Sequence, residues 1–394
     1  MPVTSATSED LEALRRSAKR LLATHASSAQ VRAAMATEAG WEPAVWALMA
    51  RELGWAALAI PEEDGGVGAG WEAVAALFEE TGKALLCAPL FSTVCLGASA
   101  IVECGDRAQR SALLPPLVEG VETATLAVTE RNGAWDPADV EATAERTEHG
   151  WTLRGTKRYV VDGHSANAVI VAAREPGSVG AEGLGLYVVR SGARGLERRA
   201  VGTMDLTRKL AEITLRDVAV GKDARLDRGD WGGLERVLHR ACVALSAEEV
   251  GGAARCLEMS VEYAKVRTQF GRPIGSFQAI KHKCADMLVD VESARSASYE
   301  AARIASSVDR AARSADAPSG VDEAELGVAA MTAKAFCSEA FLRTAGEAIQ
   351  VHGGVGFTWE HDAHLLFKRA KGSMQLLGDA AHHRDVLARR IGFV

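Results

Sequence analysis

Between Tyr263 and Met287 the chain reads YAKVRTQFGRPIGSFQAIKHKCADM, and this stretch carries the side chains best suited to grip a ligand. It opens as a helix, breaks at Gly271-Arg272-Pro273 and restarts as a second helix after Ser276. Pro273 has no N–H to donate and pushes the residue before it out of helical geometry, so the break is firm. Arg267 and Phe270 fall at the end of the first helix. Gln278 falls in the first turn of the second, where unpaired backbone N–H groups favour an anion or a polar ligand. A guanidinium, an aromatic ring and an amide around one kink suit a cofactor that bears both phosphate and an aromatic system.

Two further blocks belong with this one. Ala348-Ile349-Gln350-Val351-His352-Gly353-Gly354-Val355-Gly356-Phe357-Thr358 ends a helical run on a diglycine, and Pro61-Glu62-Glu63-Asp64-Gly65-Gly66-Val67-Gly68 forms a loop near the N-terminus. Together the three resemble the acyl-CoA dehydrogenase family, with its patterns Y-A-x-x-R-x-x-F-G-x-x-I-x-x-F-Q, A-I-Q-x-x-G-G-x-G-Y/F-T and P-E-E-x-G-G-x-G. The resemblance spans nearly the whole chain. It implies FAD as cofactor, held by Arg267, Phe270, Phe277, Gln278, Gln350, Gly353 and Gly354, with Thr129 and Tyr159 from a central domain. It also implies an acyl-CoA substrate, an acceptor of the electron-transfer flavoprotein type, and a tetramer of like or unlike chains. The reaction is α,β-dehydrogenation: a carboxylate takes the α-proton while hydride passes from the β-carbon to the flavin. Gly66-Val67-Gly68-Ala69-Gly70 does not follow a strand pattern, so no Rossmann fingerprint competes with this reading.

The departures from the family are as specific as the matches. The usual base is the Glu of a Y-E-G-T segment near the C-terminus; here the segment reads Leu376-Leu377-Gly378-Asp379, with Leu377 in the Glu place. Members that carry the base on an earlier helix place it where this chain has Ala241, and the CoA-contacting Arg expected next to it is Cys242, with Arg240 close by. Neither Leu377 nor Ala241 accepts a proton. Asp379, in the family's Thr place, is a candidate substitute base. Glu248 lies seven residues beyond Ala241, ~10 Å further along the helix, and is assigned with Glu249 to structural pairing. His382 and His383 share a helix with Arg384 and Arg389 and are assigned surface or interface places. The family's T-E-P-x-x-G-S-D loop becomes Thr129-Glu130-Arg131-Asn132-Gly133-Ala134-Trp135-Asp136, and its W-I-T-N-G segment becomes Tyr159-Val160-Val161-Asp162-Gly163. Tyr159 is divided between flavin stacking and barrel packing, and Trp135 is expected to fill a pocket or cap the barrel.

What is kept and what is lost sort by position in the family's dimer. As the resemblance implies, the R-x-x-F-G and Q-x-x-G-G residues reach a partner's FAD, whereas the T-E-P loop, the W-I-T segment and the base serve the chain's own site. The first set is intact and the second is eroded. Three readings follow: a partner subunit that lends FAD contacts to a catalytic sister chain, a self-sufficient dehydrogenase with a relocated base, or a flavin monooxygenase on the same fold. Bland readings stand beside them. A lone Arg such as Arg267 pairs with a surface carboxylate, a lone Phe such as Phe270 packs in a core, and Gly353 ends a helix.

The elements that must position these residues follow from periodicity. The chain has 394 residues, 48% of them hydrophobic, enough for two or three domains with large cores. A net charge of −7 without a long basic run excludes nucleic acid as a partner and a membrane-surface footprint. No apolar run approaches a membrane span and no leader pattern is present, so a cytoplasmic protein is expected. The 7 cysteines form no C-x-x-C and no metal-spaced set, and read as reduced buried thiols. Residues 1–121 pattern as an all-α domain, with a helix capped at Ser8, Trp46, Met49 and Leu53 on the next helix, another over Trp71–Thr81 and a packed helix pair over Ala84–Cys104. Residues 122–230 alternate in short β-branched runs at Thr123–Thr129, Trp151–Val161, Val169–Ala173, Gly185–Val189 and Ala211–Leu215, a small β-barrel or sandwich. Residues 231–394 return to long helices. The stripes Ile280, Cys284, Met287, Leu288, Val291 and Leu326, Ala330, Ala333, Cys337, Ala340, Phe341 predict a four-helix bundle, with Ser306–Gly320 as a polar loop. The class is α+β multidomain: α, then β, then an α bundle.

Overall fold

The computed structural model describes residues 7–313 and 322–393. These fall into two compact units that interleave along the chain. One gathers residues from 1–32, 70–86 and 242–394; the other comprises 33–69 and 87–241. The helix Trp231–Val266 runs from the second into the first.

The first unit is helical. Its opening helix, Ser8–His25, is capped by Thr7 rather than Ser8. The Thr7 hydroxyl accepts from the Asp10 N–H at 3.2 Å and the Asp10 carboxylate accepts the Thr7 N–H at 2.9 Å, a reciprocal capping box. Three long helices, Trp231–Val266, Gln278–Arg313 and Glu323–His352, are joined by Gly70–Lys83 and by the shorter Ala363–Gln375 and Ala380–Arg390. Leu326, Ala330, Ala333, Cys337, Ala340 and Phe341 are all buried, as their spacing predicts. The stripe on Gln278–Arg313 is narrower than expected: Met287 and Val291 are buried, but Leu288 is 48% exposed.

The expected loop at Ser306–Gly320 is corrected over its first half. The helix continues to Arg313 because Ser306 works as a cap for another helix. Its Oγ accepts the Trp71 N–H at 2.9 Å and the Glu72 N–H at 3.2 Å, while the Trp71 indole donates to Asp309 at 2.8 Å. A mid-helix serine here satisfies the orphan donors at the start of Gly70–Lys83. The remainder of that expected loop, from residue 314, lies outside the described residues.

Two glycines set the closest approach in this unit. A Cβ on Gly82 would sit 2.0 Å from the Glu248 carbonyl oxygen, and one on Gly251 would sit 1.9 Å from that of Glu79. The helices Gly70–Lys83 and Trp231–Val266 therefore touch backbone to backbone, as the Ala/Gly content of 241–254 suggests. Beside this seam lie four buried carboxylates, Glu79, Glu80, Glu248 and Glu249.

The second unit holds one curled sheet of seven strands: β1 Ala124–Ala127, β2 Thr143–Arg146, β3 Gly150–Val161, β4 Ala168–Arg174, β5 Leu184–Arg190, β6 Leu196–Val201 and β7 Leu210–Gly221. Their order is β1-β4-β2-β3-β7-β6, with β5 on β4. Leu153, Val169, Val171, Tyr187, Val189, Ile213 and Val218 fill its core, with Trp151 edge-on to Tyr187 at 5.3 Å. Five strands match the sequence reading. β2 and β6 escape it because Thr-Ala-Glu-Arg and Leu-Glu-Arg-Arg-Ala-Val are dominated by charge, which suits the exposed edge that β6 forms. In place of a helix pair over Ala84–Cys104 there is one helical run, wide-turned over Phe91–Ala98 and α-helical over Ser99–Cys104. A left-handed Leu85 and Pro89 keep the preceding residues out of it. Trp46 and Met49 are buried as expected, whereas Leu53 is 39% exposed.

All seven cysteines are free, and burial pushes Cys104 and Cys242 up to about 12, so these thiols stay protonated. No described helix is long and apolar enough to cross a membrane.

The glycine seam is open to test. Gly251→Ala must separate two backbones, and we expect it to lower the unfolding free energy by about 1–3 kcal/mol or more. Gly346→Ala, on a helix with nothing within 4 Å of the added methyl, should raise it by up to about 1 kcal/mol. Urea unfolding followed by circular dichroism measures both, and equal midpoints for the two variants would contradict the seam.

Candidate functional site

In the helical unit, the break after Trp231–Val266 is a two-residue hairpin. Thr268–Gln269 pairs with Arg272–Pro273, and the turn between is Phe270-Gly271 with φ of 52° and 79°. Positive φ at both positions is the type I′ geometry that matches strand twist. Phe270 therefore lies on the hairpin tip, not at the helix end where the sequence placed it. A left-handed Phe costs roughly 1–2 kcal/mol, and the side chain so held is 92% exposed. Behind it stands Phe277, edge-on to Phe270 at 6.2 Å and 4.2 Å from the Arg272 guanidinium. Phe277 is thus the platform on which the hairpin rests.

Arg267 is fixed by its backbone. Its N–H donates to the Tyr263 carbonyl at 2.9 Å and its carbonyl accepts from Ile274 N–H at 2.8 Å. Among the described residues its exposed guanidinium has no ion-pair or hydrogen-bond partner, so the surface salt bridge expected of a lone Arg is not made. Gln278, the first residue of Gln278–Arg313, is exposed as well.

The diglycine block sits beside this hairpin. Glu323–His352 stops at Gly353, whose φ of 61° and ψ of −143° only glycine adopts readily. Gly353 and Gly354 are exposed, and a Cβ on either would meet nothing within 4 Å. Gln350 is exposed one turn before. What joins the two blocks is a ring stack the sequence reading did not single out. Tyr263 lies 4.5 Å from His352 with planes 29° apart, and His361 lies 4.5 Å from the other partner, His352. The signal was present, since Tyr263 opens the first motif and His352 precedes the diglycine, but nothing in spacing alone pairs them.

In the sheet unit, Thr129 and Tyr159 are also brought together. The Thr129 hydroxyl donates to the Arg158 carbonyl at 2.5 Å, and the Arg158 N–H donates to the Thr129 carbonyl at 2.8 Å. Tyr159 sits in a β-bulge of β3 with φ of 58° and is 44% exposed. Its ring covers Gly133, where a Cβ would lie 3.5 Å from Cε2. Glu130 points inward instead: it accepts the buried Lys157 ammonium at 2.6 Å and the N–H groups of Glu141 and Ala142. Burial draws Lys157 down to about 8 against the pull of Glu130. Trp135 is half-buried.

The positions where a base would stand are inert. Leu377 is 3% exposed with φ of 64°, and Ala241 is fully buried. Asp379 caps Ala380–Arg390, accepting the His382 N–H at 2.8 Å. Arg240 is turned away to Glu103, its Nε at 3.1 Å. Glu248 accepts from Arg369 at 2.6 Å, and Glu249 accepts from Ser338 at 2.9 Å beside Lys334; both pair as expected. His383 is corrected: it is 4% exposed rather than on the surface. Neither ring nitrogen makes a hydrogen bond of good geometry, although the Leu377 and Gly378 carbonyls face the ring. Burial, with Lys334 nearby, holds it down at about 3, so the imidazole is neutral.

Three family models match the chain: the acyl-CoA dehydrogenase N-terminal domain over residues 8–121, the middle domain over 125–218 and the C-terminal domain over 231–392. The acyl-CoA dehydrogenase IpdE2 of Mycolicibacterium smegmatis is 35% identical over 371 residues, 94% of this chain and 95% of that protein. This chain belongs to the acyl-CoA dehydrogenase family. Among solved structures, the steroid ACAD Tcur3481-Tcur3483 is similar at 31% identity and a TM-score of 0.83, covering 98% of each chain. The ChsE4-ChsE5 complex of Mycobacterium tuberculosis is similar at 26% identity and a TM-score of 0.85, covering 100% of each.

Set against the family's cofactor, the helical unit fits. It offers a cation with no partner among the described residues, a projecting aromatic ring, an exposed amide and a diglycine with open space around it. The resemblance's own-site set fares differently: Thr129 and Tyr159 remain, but no carboxylate occupies either base position.

His383 supplies a pH test of the base loop's packing. Its folded value, about 3, is below the ordinary 6.5. Between those limits the unfolded chain binds the extra proton, so this residue's contribution is present above pH 6.5 and lost as pH falls toward 3. His383→Leu should flatten the dependence of unfolding free energy on pH in that window by up to ~1.4 kcal/mol per pH unit. Denaturant titrations at pH 4 and 6.5 measure it, and an unchanged slope would place His383 in contact with water.

Proposed function

We propose that this chain is the subunit of a heteromeric FAD-dependent acyl-CoA dehydrogenase that lends cofactor contacts to a catalytic sister chain. The observation that supports this most directly is a contrast. The residues a family dimer would extend to its partner's FAD are held out in the open: Phe270 on its left-handed turn, Arg267 without a counter-ion among the described residues, Gly353-Gly354 with nothing within 4 Å of an added Cβ. The two positions for a base hold Leu377 and Ala241. Removing a general base typically costs ~10²–10⁴-fold in rate, so an eroded base with an intact donor surface fits a lending role better than slow turnover.

When bound, FAD supplies the hydride acceptor at the substrate's β-carbon. This chain's part is to bind and orient: the Arg267 guanidinium at a phosphate, Phe270 against an aromatic face, Gln278 and Gln350 as amide partners, and Gly353-Gly354 as an open backbone approach. Phe277 supports the hairpin from behind. The α-proton is taken by a carboxylate of the sister chain. The helical unit also exposes large apolar residues, including Val266, Phe270, Val289 and Phe357 at 65–92% exposure, which a covering chain would bury. The substrate is an acyl-CoA thioester, and the steroid ACAD similarity favours a bulky, steroid-derived acyl group. An acceptor of the electron-transfer flavoprotein type reoxidises the pair.

The test is stoichiometry. Tagged protein recovered from the organism that encodes it should carry a second, related chain and one FAD per pair. The same protein produced alone should carry little or none, and no acyl-CoA should bleach its visible spectrum. A homodimer with two bound FAD, bleached by an acyl-CoA, would replace the lending role with a self-sufficient enzyme.

A further inference from the structure

The two cofactor-lending blocks come from different helices, far apart in sequence, yet they must meet one ligand together. Each helix ends where its block begins. Trp231–Val266 gives way to the Phe270 hairpin, and Glu323–His352 gives way to Gly353. At that place the two helices are joined by the Tyr263 ring on the His352 ring, 4.5 Å apart at 29°. Tyr263 lies one turn before Arg267 and accepts its N–H through the backbone carbonyl. His352 is the residue before Gly353 and is 4% exposed. Its Nδ1 lies 2.7 Å from the Ala348 carbonyl, an acceptor only, so Nδ1 carries the proton and the ring cannot turn without losing that bond. His361 backs His352 at 4.5 Å, and its own Nδ1 accepts the Ala363 N–H at 3.2 Å. Further along, Lys283 and Glu347 form an ion pair between Gln278–Arg313 and Glu323–His352.

We propose that the Tyr263–His352–His361 stack is the strut that holds the hairpin and the diglycine in register, making Tyr263 and His352 positioning residues for the cofactor they never touch. This rests on the lending role proposed above. Phe270 and Gly353 stand on single-residue backbone excursions with positive φ, and neither packs against a core. Their separation is therefore set by whatever clamps the helix ends beneath them, and the Tyr263–His352 ring contact is a clamp at that place.

Tyr263→Ala, in the assembled protein recovered with its partner, should release FAD roughly tenfold faster, as loss of a supporting contact behind a ligand commonly does. Tyr263→Phe keeps the ring and should release FAD at the wild-type rate. Chain stoichiometry by light scattering and the thermal midpoint should not distinguish these two. Should Tyr263→Ala fail to assemble, Tyr263→Leu decides, since it keeps apolar volume without the ring and must release FAD faster than Tyr263→Phe. Equal release from the ring-bearing and ringless variants overturns the strut. Arg267→Ala is run in parallel. If it too leaves FAD release unchanged, the lending role itself falls; if it speeds release while the Tyr263 variants do not, only the strut falls.

Discussion

Everything in the helical unit is built outward from one seam, the backbone contact of Gly82 with Glu248 and of Gly251 with Glu79. Because no side chain separates the two helices there, residues on either side are forced outward to their neighbours. Glu79 accepts from Arg15 at 2.8 Å on the first helix and from Arg295 at 3.1 Å and Tyr299 at 2.5 Å on Gln278–Arg313. Glu248 reaches Arg369 on Ala363–Gln375, and Glu249 reaches Ser338 and Lys334 on Glu323–His352. A pair of apposed helices thus ties four others to itself through carboxylates that are almost wholly buried. Such pairs contribute little net stability when intact, but losing one partner strands a charge and costs about 3–5 kcal/mol. The arrangement selects one packing and penalises alternatives heavily.

This hub lies in chemistry unrelated to dehydrogenation. The tyrosine beside Glu79 illustrates the point: burial and the neighbouring carboxylate push the Tyr299 phenol well above its usual range, so it donates to Glu79 and never ionises. The base loop is likewise held by its own means. Asp379 caps the helix that follows, Gly378 takes a φ of 95°, and the Leu377 side chain is buried. None of these supports requires a carboxylate at position 377. The bundle therefore stands without a carboxylate at position 377, because the contacts that hold the segment do not include one.

The sequence disclosed the parts of the molecule governed by short-range rules. Buried stripes on the long helices, the break at Pro273, the five hydrophobic strands and the motif residues all depend on spacing of 2, 3.6 or a few residues. It did not disclose whatever depends on a partner far away in the chain. Ser306 reads as a loop residue until its role as a cap for Trp71 is visible, and His383 reads as a surface residue until Lys334 and the 377–378 carbonyls are seen around it. β6 was hidden by its charge, and the hairpin at Phe270 by the rarity of a left-handed phenylalanine. Of the candidate site, the identities were legible and the presentation was not: no periodicity says that Arg267 has no counter-ion among the described residues or that Phe277 stands behind Phe270 while Phe270 is exposed.

That difference between identity and presentation bears on the lending role proposed above. Phe270 costs conformational energy where it stands. A fold free to relax would place glycine or asparagine at that turn position and a shorter polar residue in place of an exposed aromatic ring. Under the proposed lending role the strain is offset when another body meets the ring, since that contact would be gained in the assembled state and absent in the free one. The same holds for Arg267, whose exposed guanidinium has no ion-pair partner among the described residues although acidic side chains are common on this negatively charged chain. Strain at the turn, an exposed cation and an open diglycine are each unremarkable alone. Side by side, they are what the proposed lending role asks of a surface that meets a partner.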